Sequence, residues 1–218
     1  IKKACLDLCQ LINKENYIIF ESTVYPGLTE SYCIPLIEEN SKLKLNEDFY
    51  VGYSPERINP GDNKRTIDKI VKVVSGSNKK SVNFINKLYS SVINAGTYVA
   101  SSIKVAEAAK IIENCQRDLN IAFINEIFLM FSKMNIDPYE VLRTAKTKWN
   151  FLNFTPGLVG GHCIGVDPYY LTFLSNRLNI SNNLILAGRK VNENMAIKIS
   201  HIFLDILKKN NLNSKKSN

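Results

Sequence analysis

Apolar residues in the first hundred positions come in short bursts separated by polar turns. Ile1, Ala4, Cys5, Leu8, Leu11 and Ile12 fall three and four residues apart, the spacing of one helix face, and the pattern breaks over Asn13 to Asn16. Tyr17-Ile18-Ile19-Phe20, Phe49 to Tyr53, Lys69 to Ser75 and Gly96 to Ala100 are compact β-rich runs, which predicts four strands. Between them lie helical patterns. One follows Pro26-Gly27, with Thr29 as its expected N-cap and Pro35 expected to kink or divide it. Another covers Ser81 to Asn94 through Val82, Phe84, Ile85, Leu88 and Val92. Strands alternating with helices argue for a parallel or mixed α/β sheet covered on both sides.

From Ser101 the pattern changes. Ser102 to Met134 contains no Gly or Pro and carries Val105, Ala108, Ile112, Cys115, Leu119 and Ala122 at three- and four-residue steps, so one long helix is expected. Asp137-Pro138 opens another helix, and Asn150 to Asp167 is loop-like, with Pro156, Gly157, Gly160, Gly161 and Gly165. Two more helices are expected near Pro168 to Leu178 and Asn182 to Lys208. The predicted organisation is an α/β domain over residues 1–100, an all-helical domain over 101–208 and a disordered basic tail over 209–218. No strand–GxGxxG–helix unit opens the α/β part, so a complete nucleotide site is not expected from these residues alone.

Composition narrows the classes. With 45% hydrophobic and 22% charged residues in 218, the chain is an ordinary globular sequence rather than a disordered one. The net charge of +8 invites a nucleic-acid reading, but the charges are scattered. Only Lys208-Lys209 and Lys215-Lys216 form a basic patch, for which a solvated terminus is the simpler account. Attraction for phosphate-bearing small molecules fits the charge equally well. No stretch of about 18 apolar residues is present, and the opening Ile-Lys-Lys-Ala-Cys lacks a signal-peptide core, so no membrane association and a cytoplasmic location are expected.

Five cysteines lack zinc-type CxxC spacing, and with His162 and His201 as the histidines no metal site is expected. Cys5, Cys9, Cys33 and Cys115 sit in helical patterns, where a buried thiol acts as a small hydrophobe. Cys163 lies instead in Gly160-Gly161-His162-Cys163-Ile164-Gly165-Val166-Asp167, whose glycines let backbone approach a ligand and surround a sulfur with N–H groups. Taken alone, a buried cysteine in a tight loop explains that stretch as well. His162 would point away from Cys163 on an extended loop, so a Cys-His dyad is not expected. Lys110 and Asn114 share a helix face, with Arg117 or Asp118 one turn on, and a solvent-facing stripe is the bland alternative. Thr23 and Glu56 each follow a strand, at the edge where open α/β sheets bind ligands, although capping or turn roles fit them too.

Together, Glu21-Ser22-Thr23-Val24-Tyr25-Pro26-Gly27, Gly52-Tyr53-Ser54-Pro55-Glu56-Arg57-Ile58-Asn59-Pro60-Gly61, the helix from Lys110 to Asn125 and Gly160-Gly161-His162-Cys163 resemble the UDP-glucose/GDP-mannose dehydrogenase family in order and spacing. The Ser-Pro-Glu-Arg-Ile-Asn-Pro-Gly wording is similar to the branch acting on UDP-N-acetylhexosamines, since Pro60 stands where the UDP-glucose branch has a second glutamate. The resemblance implies the end of a doubly wound, Rossmann-like NAD-binding domain followed by an all-α central dimerisation domain. It implies oxidation of a sugar C6 alcohol to a carboxylate with two NAD molecules in turn, through a thiohemiacetal and thioester on Cys163. Lys110 and Asn114 would stabilise charge at the C6 oxygen, Asp167 and Thr23 would position water, and Glu56 would serve as base. Thr23, Glu56 and Cys163 would also face the cofactor. Arg57, Phe151, Gly157, Gly160 and Gly161 would contact substrate, with Lys148 and Arg189 as candidates for its phosphates or carboxylate. A homodimer through the helix 102–134 is implied. The family's first cofactor-binding elements and its UDP-binding domain have no counterpart here, so the chain is expected to be an incomplete portion, inactive alone. Rival readings are a UDP-glucose or GDP-mannose enzyme, or a non-catalytic dimerisation module.

Overall fold

The structure, a computed structural model, describes residues 1–59, 61–161 and 163–212. Pro60, His162 and Lys215-Lys216 lie outside the described residues. The chain forms two compact units, Ile1–Ile112 and Glu113–Asn218. The expected boundary after residue 100 thus moves into the long helix, because Ile103 and Ala106 of its first turns are buried in the α/β core.

The first unit runs α1 (Lys2–Cys9), β1 (Asn16–Phe20), a π-helical turn (Thr29–Cys33), α2 (Ile34–Ser41), β2 (Phe49–Tyr53), a 3-10 turn (Ile67–Lys69), β3 (Lys72–Gly76), α3 (Lys79–Ser90), β4 (Thr97–Val99) and the start of α4 (Ile103–Lys133). The sheet is mixed, in the order β1-β2-β3-β4. β1 is parallel to β2 and β3 to β4, whereas β3 runs antiparallel to β2. Every residue of β2 is buried, so it reads as an apolar run rather than an alternation. Gly52 is required there, since a side chain would collide with Ile85 of α3 and the Ser75 carbonyl.

Several expectations shift at element ends. α1 stops at Cys9, and Leu11, placed on its apolar stripe by spacing, is 74% exposed. The Leu11 and Ile12 N–H groups both turn back to the Leu8 carbonyl, which closes the helix. Pro35 does divide its helix, sitting in the first turn of α2 with the wider π-turn before it. Thr29 is not the N-cap. Leu28 precedes the turn with helical dihedrals, and the Glu107 carboxylate from α4 accepts the Gly27 N–H at 2.5 Å and the Thr29 N–H at 3.1 Å. A carboxylate brought from a distant element satisfies the orphan donors that a local cap would have taken.

α4 departs further from its predicted pattern. Val105 and Ile112 are exposed, while Glu107, Lys110, Asn114, Asp118 and Asn125 are buried beside Ile103, Ala106, Ile111, Cys115 and Ala122. The polar positions therefore do not form a wet stripe. In the second unit α4 is followed by α5 (Pro138–Ala145), α6 (Asp167–Arg177) and α7 (Asn183–Lys209), and every element among the described residues is helical. Asp137 caps α5 by accepting the Tyr139 N–H at 2.9 Å. Gly188 of α7 lies against α4, where an added Cβ would meet Leu119 at 2.6 Å. Lys208 lies in α7 as expected, and Lys209, expected to begin the tail, is its last residue. No described helix is long and apolar enough to cross a membrane.

Candidate functional site

In the first unit the candidates gather at the carboxyl ends of β1 and β2. The parallel register ends with Phe20 opposite Tyr53, and the Ser54 N–H still bonds the Phe20 carbonyl at 2.9 Å. Thr23 and Glu56 each lie three residues beyond that last pair, on neighbouring strand exits. Glu56 is half-buried, and its Oε1 accepts the N–H groups of Arg57 at 2.6 Å and Ile58 at 2.7 Å. Its other oxygen meets Lys72 Nζ at 3.5 Å. Partial burial works to raise the Glu56 pKa, but the Ile58 N–H, the Lys72 charge and the Arg57 N–H outweigh it and hold the carboxyl below its usual range.

Arg57, expected against substrate, turns its guanidinium to the Val71 carbonyl at 3.0 Å and thereby ties the segment after β2 to the one before β3. Lys110 is buried, with 8% of its surface exposed, on the part of α4 that belongs to this unit. Glu107, one turn earlier, is fully buried, and burial pushes its carboxyl pKa up against the lowering effect of the N–H groups it accepts.

The second unit holds the other candidates. Cys163 is exposed, and its carbonyl accepts the N–H groups of Val166 at 3.1 Å and Asp167 at 2.9 Å, so one tight turn joins the thiol to the start of α6. Asp167 is 2% exposed and takes a hydrogen bond from Asn114 Nδ2 at 2.5 Å. The pairing of Asn114 with Asp167 bears on the spacing argument for α4: this polar side chain faces a buried acid, not water. Gly161, two residues before the thiol, has φ +83°, a conformation that favours glycine.

The loop before Cys163 is anchored by a residue the sequence reading passed over. Asn125 donates to the Gly157 carbonyl and accepts the Gly157 N–H, both at 2.9 Å. Asn192 of α7 accepts from the same Asn125 amide at 2.9 Å and donates to Asp118 at 2.7 Å. Arg189, expected to meet phosphates or a carboxylate, is 5% exposed and closes this network with a 2.8 Å bond to Asp118 and a 3.1 Å bond to Glu193. Its charge balances a buried aspartate. Lys148, Gly160 and Gly161 are exposed, and Phe151 is half-buried. Cys115, buried nearby on α4, has its thiol pushed up to about 12 by burial and by Asp167 and Asp118.

Lys72, Glu107, Asp118, Asn125 and Asn192 are the functional candidates that spacing missed or left as surface. Lys72 carried a usable signal, a lone charge inside the apolar run Ile70-Val71-Lys72-Val73-Val74. The others look like ordinary polar helix positions until their partners are known.

Comparison with known proteins gives the family. The NAD binding domain of the UDP-glucose/GDP-mannose dehydrogenase family matches residues 1–93, and the central domain of the same family matches residues 104–194. The chain belongs to the UDP-glucose/GDP-mannose dehydrogenase family. It is 52% identical to the UDP-N-acetyl-D-glucosamine 6-dehydrogenase of Salmonella typhi over 211 residues, 97% of this chain and 50% of the relative. To Protein CapL of Staphylococcus aureus it is 54% identical over 207 residues, 94% of this chain and 49% of the relative. The solved UDP-D-ManNAc dehydrogenase of Pyrococcus horikoshii aligns with a TM-score of 0.86 at 32% identity, over 97% of this chain and 50% of that one. The chain spans about half the length of the curated relatives it matches.

Proposed function

We propose that this chain carries the cysteine, lysine and carboxylate machinery of an NAD-dependent UDP-N-acetylhexosamine 6-dehydrogenase, an enzyme of surface-polysaccharide synthesis. The observation that carries the reading is the turn from Cys163 to Asp167. An exposed thiol opens it, and a buried carboxylate, held by Asn114, closes it. Two relatives above 50% identity, each a UDP-N-acetyl-D-glucosamine 6-dehydrogenase, favour the N-acetylhexosamine branch over UDP-glucose or GDP-mannose.

Bound NAD would accept the hydride in each of two oxidations. Toward it this chain offers the exits of β1 and β2 with Thr23 and the half-exposed Glu56, which suit a ligand at a carboxyl edge; its 218 residues contain no GxGxxG turn for a pyrophosphate. The residues divide the chemistry as follows. Loss of the first hydride and the hydroxyl proton leaves an aldehyde, to which the Cys163 sulfur adds as a thiohemiacetal. Lys110, buried and cationic, stabilises the oxyanion, and a second hydride loss gives the thioester. Glu56 takes a proton from water as its oxygen attacks that carbonyl; the C–S bond breaks, the thiolate leaves, and the uronate forms. Thr23 and Asp167 hold water and orientation. The backbone of residues 151–161 wraps the sugar nucleotide, with Lys148 at its phosphates, and Asn125 fixes that loop at Gly157.

A homodimer through the long helix completes the reading, supported by the exposure of Phe123 (57%) and Met130 (47%) on α4. Dependence on NAD and a nucleotide sugar favours the cytoplasm. Turnover of the full gene product with UDP-N-acetylglucosamine and with UDP-N-acetylmannosamine tests the reading. Two NADH per sugar are expected with one of them; full activity with UDP-glucose and none with either N-acetyl sugar would contradict it.

A further inference from the structure

We infer that Lys72 is a positioning residue for Glu56, holding its carboxylate at the strand exits and keeping it ionised for base catalysis. The inference deepens the reading of Glu56 as the hydrolytic base and rests on it. Its origin is topological. β3 pairs antiparallel with β2, Gly52 opposite Gly76 and Tyr53 opposite Ser75. Continuing that register past the formal strand brings Lys72 opposite Glu56, and the Ser54 hydroxyl keeps the two chains together by donating to the Val73 carbonyl at 2.8 Å. A parallel β3 would have put its first residue at the opposite edge of the sheet.

Lys72 is the buried member of the group. Its side chain is 5% exposed, against 42% for Glu56 and 45% for Glu21, and its Nζ lies 3.1 Å from Glu21 and 3.5 Å from Glu56. Tyr89 of α3 covers it, with Nζ 5.2 Å from the ring centroid, and the Tyr89 hydroxyl donates to Glu21 at 2.5 Å. The charged and titratable groups facing Glu56 are therefore Lys72 from β3, Glu21 from the β1 exit, Tyr89 from α3 and the neighbouring Arg57, whose guanidinium is held by the Val71 carbonyl. One buried cation thus links the segment leading to Thr23 with the segment bearing Glu56. A lysine placed only to neutralise a surface would not be the most buried of the three.

The test is the pH dependence of kcat in the full gene product, measured with NAD and the UDP-N-acetylhexosamine it turns over. Lys72→Met keeps the apolar stem and removes the charge, and the acid limb is expected to move to higher pH by about half a unit to one unit, the loss of a cation discounted for the exposure of Glu56. Lys72→Arg should restore the limb. Glu21→Gln leaves Lys72 to Glu56 alone and should move the limb to lower pH, a readout that remains if the methionine variant fails to fold. Limbs in Lys72→Met or Glu21→Gln that superimpose on the parent would overturn the inference. Glu56→Gln separates the two levels: if it abolishes turnover while the limbs stay fixed, only the positioning role of Lys72 fails, and if it leaves turnover intact, the base assignment fails as well.

Discussion

At the scale of single residues, environment divides the cysteines. Cys5, Cys33 and Cys115 are buried, with Cys33 and Cys115 each pushed up to about 12 chiefly by burial, whereas Cys163 is exposed on a glycine-bounded turn. Iodoacetamide at neutral pH should therefore label Cys163 first, with one alkyl group per chain by peptide mapping; preferential labelling of Cys115 would contradict the placement. The distinction was legible in the sequence, because Cys163 alone sat outside a helical pattern. Arg189 was not legible. A lysine- and arginine-rich chain offers many candidates for a phosphate, and only the 2.8 Å bond to Asp118 reveals that this one serves the interior. Arg189→Ala should cost about 3 kcal/mol in urea unfolding, since it strands a buried aspartate; a loss under about 1 kcal/mol would mean that Asp118 finds another partner.

At the scale of elements, strands and helices were read well where one face is apolar, and badly where long-range polar bonds replace local ones. β2 is found at its predicted residues, and the long helix lies within one residue of its expected ends. The face of α4 was misjudged because Glu107, Asn114, Asp118 and Asn125 are buried through partners far away in sequence, which no periodicity can display. Two tests follow. Asn125→Ala removes both bonds to Gly157 and is expected to destabilise by about 1–3 kcal/mol and to raise hydrogen exchange in residues 151–161; unchanged exchange there would show that the loop is held by other means. Glu107 bears on pH. Its folded pKa is raised above the ordinary 4.5, so the folded chain keeps the proton longer than the unfolded one as pH increases. Its contribution to stability is fullest below that ordinary value and is lost as pH rises through the folded value. Glu107→Gln cannot titrate, so the fall in unfolding free energy between about pH 4 and about pH 7 should be smaller in the variant than in the parent; equal falls would contradict the assignment.

At the scale of the whole molecule, the match of two family domains to residues 1–93 and 104–194 accounts for the change of character near Ser101. The order of motifs along the chain was visible beforehand; the antiparallel course of β3, which brings Lys72 to Glu56, was not, because strand direction leaves no mark in a five-residue strand. A dimer built on α4 predicts that Phe123→Asp, which places a charge on its exposed apolar face, halves the mass seen by light scattering in the full gene product; an unchanged mass would exclude that face.

The most direct test of the proposed chemistry is intact mass spectrometry of the full gene product after incubation with NAD and either UDP-N-acetylglucosamine or UDP-N-acetylmannosamine, beside its Cys163→Ala variant. A covalent adduct of sugar-nucleotide mass that requires Cys163 is the predicted result, and the sugar that forms it names the substrate. Oxidation that proceeds without an adduct and survives the alanine substitution would contradict the account and leave Cys163 as a structural residue.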